Sequence, residues 1–261
     1  MRGPRCFYQQ GLRRSKTLFG AALILLTACT KDSPATAPPK VHPAASGPTG
    51  WITGRVTARG TLPALKPQPL DASLHKQCGV SAPDLSLVVA ADGALQFAVV
   101  SVDDAKPSPL PENFSPAFID QKACAYHPSV VATRAGQPLK VKNSDPLMHN
   151  VRAMNEGKPV FNVAMPIENL TIDKPLPPAA GIVQLHCDVH PWMTAWVATF
   201  DHDLYAVTTA DGQFRIDGVA VGRHPVKLWH PRLGEQKIEV EVKADAGTTI
   251  SPGWELADAG T

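Results

Sequence analysis

The sequence lacks the signatures of several large functional classes. It has no phosphate-binding glycine loop, no dinucleotide-binding fingerprint and no Ser-His-Asp arrangement. Its 261 residues include 25 Lys/Arg and 23 Asp/Glu, so neither sign of charge is in strong excess. Five of the basic residues and none of the acidic ones fall in residues 1–28, which leaves a formal charge of −3 on the remainder. We therefore expect no nucleic-acid partner.

Long helical patterns are also missing. Short strand-like runs recur about every ten residues, with Gly, Pro, Asn and Asp between them. Such runs occupy 51–56, 85–89, 95–100, 139–142, 182–185 and 194–200. The 26 prolines belong in loops and at sheet edges, because proline cannot donate to a strand ladder. This pattern predicts an all-β fold built of β-sandwiches.

The N-terminus has the pattern of an export signal. A basic stretch precedes an apolar run over 17–28 that is too short to span a bilayer. The run ends in Leu-Thr-Ala-Cys, which resembles a bacterial lipobox and implies cleavage before Cys29 and lipidation of Cys29. An ordinary signal peptide cleaved near Ala28 is the alternative. We expect an exported protein, on the periplasmic or cell-surface side, that is held to the membrane by its lipid.

Residues 29–50 are the predicted tether. Five prolines alternate there with Ala, Ser and Thr, a composition that buries no core and favours an extended chain. Thr30, and not Asp, follows Cys29, so the lipobox resemblance favours the outer membrane. The tether would hold the folded residues 51–261 away from that membrane.

The five cysteines divide by position. One lies in the signal, Cys29 would carry lipid, and Cys187 lies among candidate metal ligands. Cys78 and Cys124 remain, an even pair in an oxidising compartment, and we predict a disulfide between them. Closing that loop would stabilise the fold by about 4 kcal/mol in the chain-entropy description. A second metal site formed by Cys124 and His127 is the alternative.

One short loop carries most of the chemical information. Cys187, His190 and Met193 offer a thiolate, an imidazole and a thioether, each three residues from the next. His149 can supply a second imidazole from another strand. Cu(I) prefers soft sulfur ligands while imidazole and thiolate serve Cu(II), and two His, one Cys and a weak axial Met form a blue-copper site. We predict that these four residues bind one type 1 copper.

Alternatives to this centre remain open. A zinc site could use His149, Cys187 and His190, and a metal-free core could bury Cys187 and Met193. A multicopper oxidase is not expected, because no His-x-His pair is present to build a trinuclear cluster. Asn150 is predicted to orient the ligand loops from outside the ligand set.

Three stretches together resemble a cupredoxin of the plastocyanin/amicyanin type. They are Gly136 to Asn143, His149-Asn-Val, and Cys187-x-x-His190-x-x-Met193. The resemblance covers about 124–200 and implies a Greek-key β-sandwich with three equatorial ligands and Met193 as the axial one. It also implies that His190, followed by Pro191, lies near the surface and passes the electron. Asp188 departs from the Thr or Ser of many relatives, which places a carboxylate close to the thiolate.

The C-terminal part resembles a second module. Thr-x-x-Asp-Gly-x-Phe at 208–214, Gly222, and the runs 226–230 and 238–242 are similar to carboxypeptidase regulatory-like domains. The resemblance implies a smaller transthyretin-like β-sandwich with a binding or structural role. The Asp-Gly pair at 211–212 also predicts a hairpin.

These observations divide the chain into five predicted segments. They are a signal peptide at 1–28, a tether at 29–50, an N-terminal β segment at 51–115, a cupredoxin domain at 116–202 and a C-terminal module at 203–261. Whether 51–115 completes the cupredoxin sandwich or forms its own unit stays open at this point.

The predicted function is single-electron transfer by a membrane-tethered copper protein that catalyses no reaction of its own. A redox protein such as a c-type cytochrome or a periplasmic dehydrogenase is the expected partner. The alternatives are a copper chaperone or store, and a glycan- or surface-binding lipoprotein with a secondary metal site.

Overall fold

The computed structural model describes residues 47–62, 68–82 and 84–256. The predicted signal peptide, the lipidation site at Cys29 and most of the predicted tether lie outside these residues. Within the described part, no helix has the length and apolar character needed to cross a membrane. The described chain is all-β apart from one short helix, as the strand-like runs predict.

Twenty strands form in the described residues. In chain order they are β1 (Thr49–Arg55), β2 (Thr57–Gly60), β3 (Gln68–Pro69), β4 (Ser81–Ala82), β5 (Val99–Val102), β6 (Ala117–Lys122), β7 (Ala125–His127), β8 (Val130–Arg134), β9 (Pro138–Asn143), β10 (His149–Asn155), β11 (Lys158–Met165), β12 (Thr171–Pro175), β13 (Gly181–His186), β14 (Thr194–Phe200), β15 (Tyr205–Val207), β16 (Gln213–Ala220), β17 (Gly222–His230), β18 (Gly234–Val242), β19 (Gly247–Ile250) and β20 (Gly253–Leu256). A 3₁₀ turn (Ala72–Leu74) leads into the helix α1 (His75–Cys78).

Two sheets between Ala117 and Phe200 form what we call the inner sandwich. The five-stranded sheet has the order β11-β10-β13-β14-β8, and the four-stranded sheet has the order β12-β9-β6-β7. Neighbouring strands are antiparallel except for the pairs β8–β14 and β6–β9. Alternation fixes the inward face, and in β9 every second side chain, beginning with Leu139, is buried. The core therefore lies between the two sheets.

The remaining main sheets form the outer sandwich. Their orders are β16-β1-β19 and β15-β5-β17-β18, and β2 pairs with β20 at one edge. Strands β1 and β5 precede the inner sandwich in the chain, whereas β15 to β19 follow it. The N-terminal β segment therefore supplies strands to the C-terminal sandwich, and the inner sandwich is inserted between β5 and β15.

A segment between two strands of the outer sandwich packs against the inner sandwich. Residues 68–82, which include β3, α1 and β4, place Leu70, Cys78 and Ala82 in the inner core. Cys78 is joined there to Cys124 in the predicted disulfide. A covalent bond thus links a segment that lies between outer-sandwich strands to the inner sandwich.

The two sandwiches share an apolar junction. Strand β14 packs on both faces, with Val197 in the inner core and Ala198 buried in the junction. Beside this junction the Arg134 guanidinium donates to the Asp203 carboxylate at 2.8 Å and to the Asp201 carbonyl oxygen at 2.7 Å. It also donates to the Ser108 hydroxyl oxygen at 3.0 Å. One buried side chain therefore holds both connections between the sandwiches, residues 103–116 and 201–204.

Three local predictions are wrong, one of them only in part. Gly212 closes a turn by donating to the Thr209 carbonyl oxygen at 2.9 Å, but β15 and β16 then join different sheets and form no hairpin ladder. The glycine is required by a close approach, because a Cβ at Gly212 would lie 2.5 Å from the Val56 carbonyl oxygen. The run 85–89 is not a strand, and Leu87 reaches the outer core from a loop. Of the run 95–100, only Val99 and Val100 lie in a strand, β5.

Candidate metal centre

The four predicted ligands lie at one end of the inner sandwich. His149 begins β10, and Cys187 directly follows β13. These strands are antiparallel neighbours, so the start of one and the end of the other meet at the same edge. His190 and Met193 lie in the loop that connects β13 to β14. All four side chains are buried.

Three donor atoms lie at a spacing that suits a shared metal ion. The Nδ1 atoms of His149 and His190 are 2.8 Å apart, and the Cys187 Sγ lies 3.9 Å and 3.8 Å from them. A point equidistant from the three atoms would lie about 2.1 Å from each, within the roughly 2.0–2.3 Å of metal–nitrogen and metal–thiolate bonds. The trigonal His₂Cys donor set is therefore preformed.

The ligand loop is closed by its own backbone. The Met193 amide donates to the His190 carbonyl oxygen at 2.9 Å, and the Cys187 amide donates to the Met193 carbonyl oxygen at 3.2 Å. Met193 and Cys187 belong to the same apolar core cluster. With the two imidazoles, the thiolate and this thioether make up the donor set of a type 1 copper site.

The site also favours the anionic form of its sulfur. Burial raises the pKa of the Cys187 thiol, but hydrogen bonds with His149, His190 and the Asn150 amide outweigh burial and hold the pKa at about 6. Thiolate is the form of cysteine that binds metals. Burial lowers the pKa of His149, yet its contacts with Asp145 and Cys187 prevail and the pKa is raised. In the metal-free protein the imidazoles therefore stabilise the thiolate.

The far side of His149 is fixed by a carboxylate. Its Nε2 atom lies 2.9 Å from the Asp145 Oδ2, so Nε2 carries a proton and Nδ1 faces the other donors. Burial raises the pKa of Asp145, but hydrogen bonds from His149 and from the amides of Cys124 and Ala123 outweigh burial and lower it. Asp145 is thus a buried carboxylate that bears a negative charge.

Asn150 ties the two ligand-bearing segments together. The side-chain NH₂ group of Asn150 donates to the Asp188 carboxylate at 2.9 Å, and its side-chain oxygen accepts from the Asp188 backbone amide. The Asn150 backbone amide lies 3.5 Å from the Cys187 Sγ. The Asp188 carboxylate also pairs with Arg152 at 3.1 Å. The charge of Asp188 is therefore balanced on the protein's own surface, while Pro191 is exposed.

A buried tyrosine supports both ligand strands from the opposite sheet. The Tyr126 hydroxyl lies 3.1 Å from the carbonyl oxygens of Asn150 and His186, the residues next to His149 and Cys187 in the chain. Burial raises the pKa of Tyr126, so the hydroxyl keeps its proton and remains a donor. This contact fixes the spacing of the two strands at the ligands.

The other candidate groups lie elsewhere. His127 is exposed, with its Nε2 3.1 Å from the Lys122 carbonyl oxygen, and Cys124 is bonded to Cys78, so the alternative Cys124–His127 metal site is not formed. His186 faces a groove on the outer side of the five-stranded sheet, beside Trp196, and is not part of the donor cluster.

Two contributors to the site were not identified from the sequence. Asp145 is one of them, although its position four residues before His149 offers a local signal. Tyr126 offers no such signal, because its hydroxyl meets Asn150 and His186 across the sandwich, 24 and 60 residues away in the chain.

Comparisons with protein-family models and with curated proteins find no match. Solved structures do align with part of the chain. A purple cupredoxin from Nitrosopumilus maritimus is 21% identical over 32% of this chain and 99% of its own, with a TM-score of 0.29. Amicyanin from Paracoccus versutus is 19% identical over 39% of this chain and 97% of its own, with a TM-score of 0.30.

Proposed function

We propose that the inner sandwich is a cupredoxin and that the protein transfers single electrons through one type 1 copper. The convergence of the His149, His190 and Cys187 donor atoms beside the buried Met193 carries this proposal. Copper held by these residues would alternate between Cu(II) and Cu(I) and so carry one electron.

The protein's own residues supply rigidity. His149 and Cys187 are anchored at strand ends, and Asp145 and Asn150 hold them from outside through hydrogen bonds. Ligands fixed in this way move little when the metal changes charge, which favours rapid electron exchange. No bond-making step is needed, so we propose a carrier and not an enzyme.

Exposed apolar side chains mark the face where a partner would dock. Met148 precedes His149 and is 50% exposed, and Val189 precedes His190 and is 45% exposed. Ile167, which is 63% exposed, lies in a loop that Asn143 ties to the Met148 segment. An apolar patch beside the buried His190 suits a transient redox partner such as a c-type cytochrome or a periplasmic dehydrogenase. Lipidation at Cys29 would keep the carrier at the outer membrane.

The test is the spectrum of the copper-loaded protein. Adding Cu(II) to the purified metal-free protein should produce an intense visible thiolate-to-copper band, and the Cys187→Ser variant should lack it. His127→Ala is the matched control, because His127 lies outside the donor cluster, and it should keep the band. Absence of the band in the unaltered protein, together with tight zinc binding, would refute the proposal.

A copper store or chaperone is separated from a carrier by kinetics. A carrier loaded with Cu(I) should reduce ferricytochrome c in stopped-flow mixing. A store would bind Cu(I) tightly and leave the cytochrome oxidised.

A further inference from the structure

A tight turn near the centre has an unusual backbone. Residues 122–125, which we call the disulfide turn, connect β6 to β7. Ala123 and Cys124 both adopt left-handed conformations, with φ of 50° and 57°. Residues other than glycine rarely adopt this region, so contacts outside the turn must hold it.

Those contacts converge on one carboxylate. The Ala123 amide donates to the Asp145 Oδ1 at 2.7 Å, and the Cys124 amide donates to its Oδ2 at 2.9 Å. The same Oδ2 accepts from the His149 Nε2. The left-handed turn therefore aims two amides at the group that orients a copper ligand.

The disulfide turn also reaches the second histidine. The Cys124 carbonyl oxygen accepts a hydrogen bond from the Trp192 Nε1 at 3.1 Å. The Trp192 ring lies 5.2 Å from the His190 ring, centre to centre. One turn thus supports the outer sides of both imidazole ligands.

The disulfide restrains this turn. Cys124 is fully buried and is bonded to Cys78 at the end of α1. The Cys124 sulfur lies within 4.8 Å of a carboxylate oxygen of Asp145 and of a ring nitrogen of His149. The covalent bond therefore lies next to the hydrogen bonds that orient His149.

We propose that Asp145 is a positioning residue of the copper centre and that the Cys78–Cys124 disulfide holds it in place. This inference rests on the proposed function. Asp145 fixes the His149 ring and directs its negative charge through the imidazole toward the metal, which favours Cu(II) over Cu(I). Loss of the charge or of the disulfide raises the reduction potential.

The first test compares Asp145→Asn with Asp173→Asn. Asp173 is an exposed carboxylate paired with Lys140, so its variant controls for the loss of one negative charge. Asp145→Asn should weaken Cu(II) binding about tenfold more than Cu(I) binding, which corresponds to a rise of about 59 mV in potential. Asp173→Asn should leave the potential unchanged. A potential for Asp145→Asn equal to that of the unaltered protein would overturn the assignment.

The second test is a double-mutant cycle. Replacing Cys78 and Cys124 together with Ser should raise the potential as well. Adding Asp145→Asn to that pair should raise it no further than Asp145→Asn does alone, because both changes act through one carboxylate. Independent, additive shifts would show that the disulfide does not act through Asp145.

A third readout does not depend on copper. In the zinc-loaded or metal-free protein, the His149 Nε2 proton should be protected from exchange in NMR spectra. The Cys78→Ser, Cys124→Ser variant should lose that protection. Retained protection would overturn the role of the disulfide, even for a variant that takes up no copper. Failure of the unaltered protein to form a blue centre would instead refute the proposed function and leave this readout valid.

Discussion

Replacing Arg134 with Met would remove a cation that bridges both connections between the sandwiches. The Arg134 and Asp203 side chains are only 8% and 9% exposed, and the guanidinium also donates to Asp201 and Ser108. Met keeps much of the side-chain volume but leaves the Asp203 carboxylate buried without its cation. Breaking a buried ion pair from one side typically costs 3–5 kcal/mol, so we expect Arg134→Met to lower the free energy of unfolding by about 4 kcal/mol.

The assay is urea unfolding of the metal-free protein, followed by tryptophan fluorescence. Lys140→Met is the matched control, because the Lys140–Asp173 pair is 41% and 52% exposed and should contribute about 0–1 kcal/mol. The reasoning would be refuted if Arg134→Met cost no more than Lys140→Met. The visible band of the copper-loaded Arg134→Met variant should persist, because the Arg134 side chain donates to Ser108, Pro109, Asp201 and Asp203, which lie outside the donor cluster.

Further predictions concern the thiols and one turn. The Cys187 thiol of the metal-free protein should titrate near pH 6, against about 9 when unfolded, as measured by thiolate absorbance. Because the folded pKa is the lower one, Cys187 stabilises the fold most above pH 9, and this contribution disappears as the pH falls to about 6. The Cys187→Ser variant should lack this pH-dependent contribution to stability. In unfolded, unreduced protein, iodoacetamide should label Cys187 and leave Cys78 and Cys124 unlabelled; labelling of either would exclude the disulfide. Gly212→Ala should cost about 1–3 kcal/mol more than Gly157→Ala, because both have φ of +75° but only Gly212 has a carbonyl oxygen 2.5 Å from the new methyl group. Equal losses in thermal unfolding would contradict that steric argument.

The ligand set could be predicted from the sequence because its signal is local and chemical. Three of the four ligands fall within seven residues, and few other sites use that combination of donors. The all-β class followed from strand spacing, and the disulfide from the number of cysteines left without another role. None of these predictions requires knowing which strand pairs with which.

Which strand pairs with which could not be predicted, because pairing depends on contacts between residues far apart in the chain. Alternation in 51–56 indicates a strand, but nothing in that run specifies β16 as its neighbour, because strand preference reflects tertiary surroundings. The Asp-Gly pair at 211–212 correctly indicated a turn, but the strands on either side of it, β15 and β16, pair with β5 and β1 in different sheets. The contacts of Asp145 with the disulfide turn, some twenty residues earlier in the chain, could likewise not be predicted.

The insertion of one sandwich into the other sets an order of folding during synthesis. A chain that emerges from its N-terminus can complete the inner sandwich once Phe200 is free, whereas the outer sandwich waits for strands up to β19. In that interval β1 and β5 have open edges, which are templates for pairing with other chains. The inner sandwich with its donor cluster is therefore complete first, and the last fifty or so residues close the strand edges through which an unfinished chain could aggregate.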